Sequence, residues 1–264
     1  MTTTWHGSRA RCARRRRRAD MTVIVVSGTG TEIGKTVTTA AVAAVARAAG
    51  RSVAVLKPAQ TGVGPDDPGD AREVTRLAGE GITTLELARY PEPLAPDVAA
   101  RRAGLAQVRP QQVADAAAKL ATEYDLVLVE GAGGLLVRLD DEGGTLADAA
   151  RLLGAPVLMV VTAGLGTLNA TALTAEALRA RGVRQLGPLI GSWPTAPDLA
   201  SRCNLADLPK DAGTPLLGAV PAGAGSLEGP AFRASAGSWL APELGGTWDA
   251  KAFGEREGAG ARGR

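Results

Sequence analysis

Histidine occurs once in this chain of 264 residues, at His6, and aromatic side chains make up only 3% of it. That scarcity argues against imidazole acid–base catalysis and against His-ligated metal sites. Cysteine occurs twice, at Cys12 and Cys203, too few for a disulfide framework or a zinc set. A cytoplasmic setting is the expectation that follows. No apolar run reaches the ~18 residues that a membrane-spanning helix needs, so no membrane span is expected. What is present is 45% apolar and rich in Ala, Val, Leu and Gly. That mix suits helices packed closely on a buried parallel sheet.

The net charge of +3 and a pI near 9.1 invite a nucleic-acid reading. Its distribution weakens that reading. Residues 1–20 hold seven arginines, Arg9, Arg11 and Arg14 to Arg18, against one acid, Asp20. This arm alone exceeds the charge of the whole chain, so the remainder is acidic and no nucleic-acid partner is expected for it. Like charge without hydrophobic periodicity reads as disorder. A secretory signal needs an apolar stretch of roughly 7–15 residues after its basic segment, and Val23 to Val26 ends too soon. The arm is expected to lie upstream of a natural start at Met21. A nucleic-acid or membrane tether is the alternative. The Gly-rich end, 249–264, is likewise expected to be disordered.

Between these tails, apolar β-branched runs alternate with Ala-rich stretches. Strands are expected at Val23–Ser27, Ser52–Lys57, Leu126–Glu130, Val157–Thr162, Leu186–Ser192 and Leu216–Val220. Helices are expected at Lys35–Ala49, Ala71–Ala78, Pro110–Thr122, Leu146–Leu153 and Leu168–Arg181, with Gly50 and Gly182 as their C-terminal stops. No internal repeat is visible. The pattern predicts an α/β domain over 21–248: three layers of P-loop NTPase type, with a mostly parallel central sheet covered by helices on both faces. In such folds ligands bind beyond the carboxyl ends of the strands.

Five stretches fall at those ends. The first is G-T-G-T-E-I-G-K-T, Gly28 to Thr36. It lies between a strand and a helix, as a phosphate loop must. Five residues separate Gly28 from Gly34, one more than the usual pattern allows. Gly30 and Gly34 let backbone N–H groups turn inward, and the helix N-terminus attracts phosphate. Lys35 would reach the terminal phosphates, and the Thr36 hydroxyl would ligate Mg²⁺.

The second stretch is V-L-K-P-A-Q-T-G, where Lys57 is expected to end a strand before Pro58 turns the chain away. There it either aims a second cation at the phosphates or is a solvated lysine. Both lysines are expected to be partly exposed. The third is D-L-V-L-V-E-G-A-G-G, whose Glu130 stands where a Walker-B acid would hold Mg²⁺; an exposed glutamate before a loop is the alternative. The fourth is Asp70, which on its own is favoured as an N-cap for a helix beginning at Ala71. It becomes a metal-ligand candidate only in company. The fifth is T-A-G-L-G-T-L-N, Thr162 to Asn169, where free helix N–H groups would suit a carboxylate. An ordinary connection competes with that.

Taken together, G-T-G-T-E-I-G-K-T, K-P-A-Q-T-G, E-G-A-G-G and L-G-T-L-N, with Y-P-E-P-L-A-P, closely resemble the dethiobiotin synthetases of biotin biosynthesis, over about residues 21–230. The longer loop is that family's own form. Partitioning-type ATPases, the alternative, carry a signature lysine five positions before the main one; that position is Gly30. The resemblance implies an ATP-dependent cyclo-ligase acting on 7,8-diaminononanoate and CO₂ or bicarbonate. A carbamate forms on one amine, ATP phosphorylates it, and the second amine closes the cyclic urea.

The resemblance also implies residue roles. Lys35 and Lys57 would be catalytic, and Thr36, Asp70 and Glu130 would hold Mg²⁺. Thr31 and Thr61 would line the diamine and carbamate. Glu32, Ile33, Val37, Gly131, Ala132 and Gly133 would join the nucleotide site. Gly166, Thr167, Leu168 and Asn169 would grip the substrate carboxylate from a second subunit, which implies a homodimer with the active site at its interface. Where many members carry Asn-Asp for reading adenine, this chain has Gly191-Ser192. Base contacts then fall to backbone near Gly191 and near Pro221, Ala222, Gly223 and Ala224, and other nucleoside triphosphates are expected to be accepted.

Deleting residues 1–20 is expected to leave turnover unchanged. A truncated chain that has lost turnover would reverse the reading of the arm.

Overall fold

Val23–Gly28 (β1) carries four β-branched side chains in a row, and only Val23 among its residues is not fully buried. Such a strand belongs in the middle of a sheet covered on both sides. A computed structural model describes residues 23–258. The expectations for 1–20 and for 259–264 lie outside these residues.

After β1 come Lys35–Ala48 (α1), Val53–Thr61 (β2), Asp70–Ala78 (α2), Ile82–Tyr90 (β3), Pro96–Ala103 (α3) and Pro110–Glu123 (α4). Leu126–Gly134 (β4), Leu146–Leu153 (α5), Val157–Val161 (β5), Thr167–Ala180 (α6) and Gln185–Trp193 (β6) follow. Leu199–Ala212 (α7), Ala219–Pro221 (β7), Gly229–Ala236 (α8) and Ala250–Gly258 (α9) complete the order. Among the described residues the strands form one sheet in the order β3-β2-β4-β1-β5-β6-β7, and every pairing in it is parallel.

Alternation along the strands makes the layers. Ile24, Val53, Val55, Leu126 and Leu128 face a core filled by α1, α2, α7 and α8. Val25, Ala54, Leu56, Val127 and Val129 face the other, filled by α4 and α5. A side-chain period of two therefore gives each central strand two buried faces. Alanine dominates the sheet-facing stripe of α1, which lets that helix approach the sheet closely.

Several expectations are corrected. β3 escaped notice because it is an edge strand: Thr83, Thr84 and Leu85 are exposed, so no uniform apolar run marks it. α3 begins on the last proline of Y-P-E-P-L-A-P, Pro96, and α7 contains Pro209 within its span; neither shows a clean helical pattern. β2 does not stop at Lys57 but runs on through Pro58 to Thr61. Beyond Leu56 it has lost β4 as a neighbour and pairs only with β3, so a residue without N–H leaves no ladder bond unmade there.

Residues 250–258 form a helix where disorder was expected. Phe253 explains this. Its ring packs edge-on against Trp193, centroids 5.3 Å apart, and tilts against Trp248 at 5.4 Å. The Trp193 indole N–H donates to Glu257 at 3.2 Å. Burial of one aromatic side chain outweighs the helix cost of Gly254.

Phe253→Ala is expected to lower stability by about 3 kcal/mol in denaturant unfolding. A change below about 0.5 kcal/mol, the range of ordinary surface substitutions, would mean that α9 is not docked.

Candidate active site

The carboxyl ends of β1, β2 and β4 meet over a cavity of about 800 Å³. Loop β1–α1 forms one wall. Gly34 turns it with φ +93°, and a Cβ there would lie 2.2 Å from the Gly191 carbonyl oxygen. A Cβ on Gly191 would lie 2.0 Å from the Ile33 carbonyl oxygen. Each glycine thus allows the other's backbone to approach. Glu32 holds a left-handed backbone, φ 57°, in which a residue with a Cβ is strained. The Lys35 ammonium folds back onto the Gly30 carbonyl at 2.7 Å.

Lys57 lies at the floor, 3% exposed. Its ammonium meets Glu130 Oε1 at 3.0 Å, the Gly131 carbonyl at 3.2 Å and Asp70 Oδ2. The Thr36 hydroxyl donates to Glu130 Oε1 at 2.8 Å and lies beside Asp70. Two carboxylates, one ammonium and one hydroxyl are therefore joined, although they come from β4, α2, β2 and α1. Burial opposes the charge on Lys57, but Glu130 and Asp70 together outweigh it and raise its pKa. Burial opposes the charge on Asp70 too, but Lys57, Thr36 and Lys35 together outweigh it and hold the carboxyl below its ordinary value. Lys35 moves the other way: burial, then the nearby Lys57 charge, lowers its pKa.

Both lysines were expected to be partly exposed. Both are buried, Lys35 at 8% and Lys57 at 3%, because the sheet edge and the loop close over their stems. Asp70 does not cap α2. The helix begins at Asp70 itself, after Gly69, and no side chain of the capping residue bonds to it. The carboxylate has turned to Lys57 instead. Glu130 is not an exposed glutamate either, at 1%.

Thr31, Glu32, Ile33, Gly34, Lys35, Thr36, Val37, Lys57, Thr61, Asp70, Gly131, Ala132 and Gly133 all line the one cavity. Glu130 lies under it, and Gly30 meets it through its carbonyl and Lys35. Gly191 packs under the loop, while Ser192 beside it is exposed. The Ala222 N–H donates to the Trp193 carbonyl at 2.7 Å, and a Cβ on Gly225 would touch Val37. The 221–224 turn therefore flanks the loop beyond Val37.

Gly166, Thr167, Leu168 and Asn169 lie apart, at the start of α6 and outside this cavity. α6 begins at Thr167 rather than Leu168. The Thr167 side chain is buried and donates to the Thr162 carbonyl at 2.8 Å, and its N–H donates to Gly164 at 3.3 Å. One of the four expected backbone donors is thus already taken.

Sequence reasoning missed Gln60, which lines the cavity and accepts the Asp70 N–H at 2.9 Å. It also missed Pro93 to Pro96 and Val137, apolar members of the wall. Y-P-E-P-L-A-P was the available signal for the proline segment. Gln60 gave none, because an amide in a strand looks like any other polar residue.

The side-chain groups at the floor able to ligate a cation, beside the Lys57 ammonium, are the oxygens of Thr36, Asp70 and Glu130, and a hard cation such as Mg²⁺ prefers oxygen. Glu130 Oε2 is buried without a hydrogen-bond partner, and a buried carboxylate oxygen left so is a natural ligand position. Thr36, Asp70 and Glu130 therefore fit such an ion.

A family model described as an AAA domain matches residues 22–226. The ATP-dependent dethiobiotin synthetase of Streptomyces coelicolor is 71% identical over 238 residues, spanning 90% of this chain and 100% of that protein. That of Streptomyces avermitilis is 73% identical, spanning 88% and 98%. That of Mycobacteroides abscessus is 51% identical, spanning 80% and 92%. Among solved structures, a ParA family ATPase from Chlorobium tepidum superposes with a TM-score of 0.53 at 12% identity, covering 85% of this chain and 96% of that one. That likeness shows the fold alone, a P-loop-type three-layer α/β arrangement. Identity of this degree across nearly the whole length of its relatives leaves one conclusion: the chain belongs to the family of ATP-dependent dethiobiotin synthetases.

Proposed function

We propose that this chain closes the cyclic urea of dethiobiotin from 7,8-diaminononanoate, CO₂ and ATP, with Mg²⁺, in the cytoplasm and as a homodimer. The observation that carries this is the gathering of Lys35, Lys57, Thr36, Asp70 and Glu130 at the rim where a nucleotide's phosphates enter. The reaction must bring a triphosphate and a carbamate together, so anions have to be neutralised at short range.

Lys35 lies against the Gly30 carbonyl and would turn from it to the terminal phosphates when they arrive. Bound Mg²⁺ supplies neutralisation of phosphate charge and holds the triphosphate in place. Asp70 and Glu130, which would hold the ion with Thr36, are also the partners of Lys57, so the Lys57 ammonium would be free to face the anionic reactants. Thr31 and Thr61 hydroxyls orient the amine and carbamate. The carbamate oxygen takes the γ-phosphoryl group, ADP leaves, and the second amine displaces phosphate as the ring closes. The apolar wall of Pro93 to Pro96 and Val137 keeps water from the mixed anhydride.

The substrate carboxylate would be held by backbone N–H groups of Gly166, Leu168 and Asn169 in a second copy, with Thr167 beside them. Their distance from the 800 Å³ cavity supports a grip delivered from outside. So does the apolar surface next to them: Leu165 is 93% and Leu173 59% exposed. One domain would span 21–248, with α9 docked on it.

Base contacts would come from backbone near Gly191, Ser192 and Pro221 to Ala224, since Gly191 offers no side chain. A panel of nucleoside triphosphates is expected to show ATP preferred by less than about a hundredfold, the discrimination that shape alone commonly supplies. A larger preference would remove this base reading.

The synthetase reading is tested by incubating the protein with the diamine, bicarbonate, Mg²⁺ and ATP and weighing the product; absence of the cyclic urea would refute it. Lys35→Ala is expected to cut turnover by about a hundredfold or more with little change in melting. Lys57→Ala is expected to do the same and also to lose about 3–5 kcal/mol of stability, because two buried carboxylates lose their counter-charge. The Asp70 contribution is complete above the ordinary aspartate value of 3.8 and is lost as pH falls through its lowered folded value. The Lys57 contribution is complete below 10.5 and is lost as pH rises through its raised folded value. The stability deficit of Lys57→Ala should therefore be full between those limits and shrink outside them. A pH-independent deficit in denaturant unfolding would mean that packing, not charge, is what was lost.

A further inference from the structure

The Asp70 carboxylate is held by its charge partners, but its backbone is held by something else. α2 starts without a capping side chain of its own: Gly69 precedes it with φ −105° and ψ −175°. The first N–H groups of a helix lack partners within it. Gln60 supplies one from the neighbouring strand. Its Oε1 accepts the Asp70 N–H at 2.9 Å, while its Nε2 donates to the Thr61 carbonyl at 3.2 Å. Both ends of the amide are engaged and the residue is 5% exposed, so its orientation is fixed.

Two neighbours secure this arrangement. Gly69 leaves the space: a Cβ there would lie 2.8 Å from Gln60 Oε1 and 3.0 Å from Arg89 Nη2. Arg89 stands opposite Gln60 in the β2–β3 register. It forks onto Glu86 at 3.0 and 2.8 Å and donates to the Gly64 and Asp67 carbonyls at 3.0 and 2.8 Å. The segment leading from β2 into α2 is therefore latched to β3, and its last residue is set by Gln60. One strand supplies both the charge partner of Asp70, Lys57, and the acceptor for its backbone, three residues later.

We propose that Gln60 is a positioning residue, which sets the Asp70 carboxylate for the metal by capping α2 from β2. This rests on the reading above, in which Asp70 is one of the metal's ligands. Loss of the Gln60 acceptor lets the first turn of α2 move, and the carboxylate moves with it. Nucleotide contacts made by the β1–α1 loop are left as they were.

The test uses Mn²⁺ as the probe, with the full chain and a non-hydrolysable ATP analogue. Affinity is read from the free-ion electron paramagnetic resonance signal, against the analogue alone. Gln60→Leu is expected to weaken Mn²⁺ binding about tenfold, as for one buried donor left unpaired. Gln60→Glu keeps an acceptor and should stay within about threefold of the parent. Gly69→Ala, which crowds the same contact without removing it, should weaken binding and decides the matter should Gln60→Leu not fold. In turnover assays the Mg²⁺ needed for half-maximal rate should rise while the rate at saturating Mg²⁺ stays close to the parent's.

Asp70→Asn separates the two ideas. If it weakens Mn²⁺ binding while both Gln60→Leu and Gly69→Ala bind like the parent, the positioning role is overturned and the metal assignment stands. If Asp70→Asn itself binds like the parent, the metal assignment fails and the positioning role falls with it. A drop in melting temperature with unchanged Mn²⁺ affinity would make Gln60 a structural residue only, against the proposal.

Discussion

An ammonium group sits almost out of reach of water between two carboxylates, and the architecture around it follows from that requirement. Removing Lys57 from solvent costs several kcal/mol, which only close opposite charge and hydrogen bonds can offset. Glu130, Asp70 and the Gly131 carbonyl meet the three directions in which the ammonium can donate. Glu130 is buried as deeply and needs Lys57 and the Thr36 hydroxyl in return. No member of the group is stable in its place alone. Four segments far apart in sequence must arrive in register, and a parallel sheet with all its carboxyl ends on one side delivers them.

The same demand explains the glycines. Charged groups can converge only where backbones approach closely, and Gly34 and Gly191 allow the β1–α1 loop and β6 to touch at a separation that any side chain would prevent. That contact has a chemical cost for recognition. A residue that packs against the loop through its bare backbone cannot also send a side-chain amide to a base. If a base is read beside Gly191, as proposed, close packing and base selectivity would compete for one position, and packing has taken it.

Much of the site is legible in the amino-acid sequence, because its residues sit where a strand gives way to glycine. Lys35, Thr36 and Glu130 follow apolar runs and are marked by what surrounds them. The edges are harder. β3 hides because an edge strand need not be apolar on both faces, and α9 hides because its stability comes from one ring, Phe253, finding Trp193 and Trp248. Lys57 misleads through Pro58: the rule that proline ends a ladder assumes a neighbour on both sides, and β2 has one fewer there. Asp70 misleads through its surroundings, since an aspartate beside a helix start is so often a cap. The burial of both lysines is invisible in the sequence, because burial depends on which strands lie adjacent, and spacing along the chain does not contain that.

Two lysines share a small space at this site, and burial and then the Lys57 charge lower the pKa of Lys35. Asp70 and Glu130 then act as the anions of the site, holding Lys57 down while Lys35 bonds a loop carbonyl. On the proposed reading, an entering triphosphate would offer stronger anions, and a cation arriving with it would compete with Lys57 for the same carboxylate oxygens. Each ammonium would then exchange one partner for another without being left bare in a low-dielectric pocket. Groups that stabilise the protein would thus be the groups that a triphosphate engages, so the site could be held rigid before binding and still lose little on letting go. Glu130 Oε2 is buried without a hydrogen-bond partner, and it is there that a cation would have most to gain.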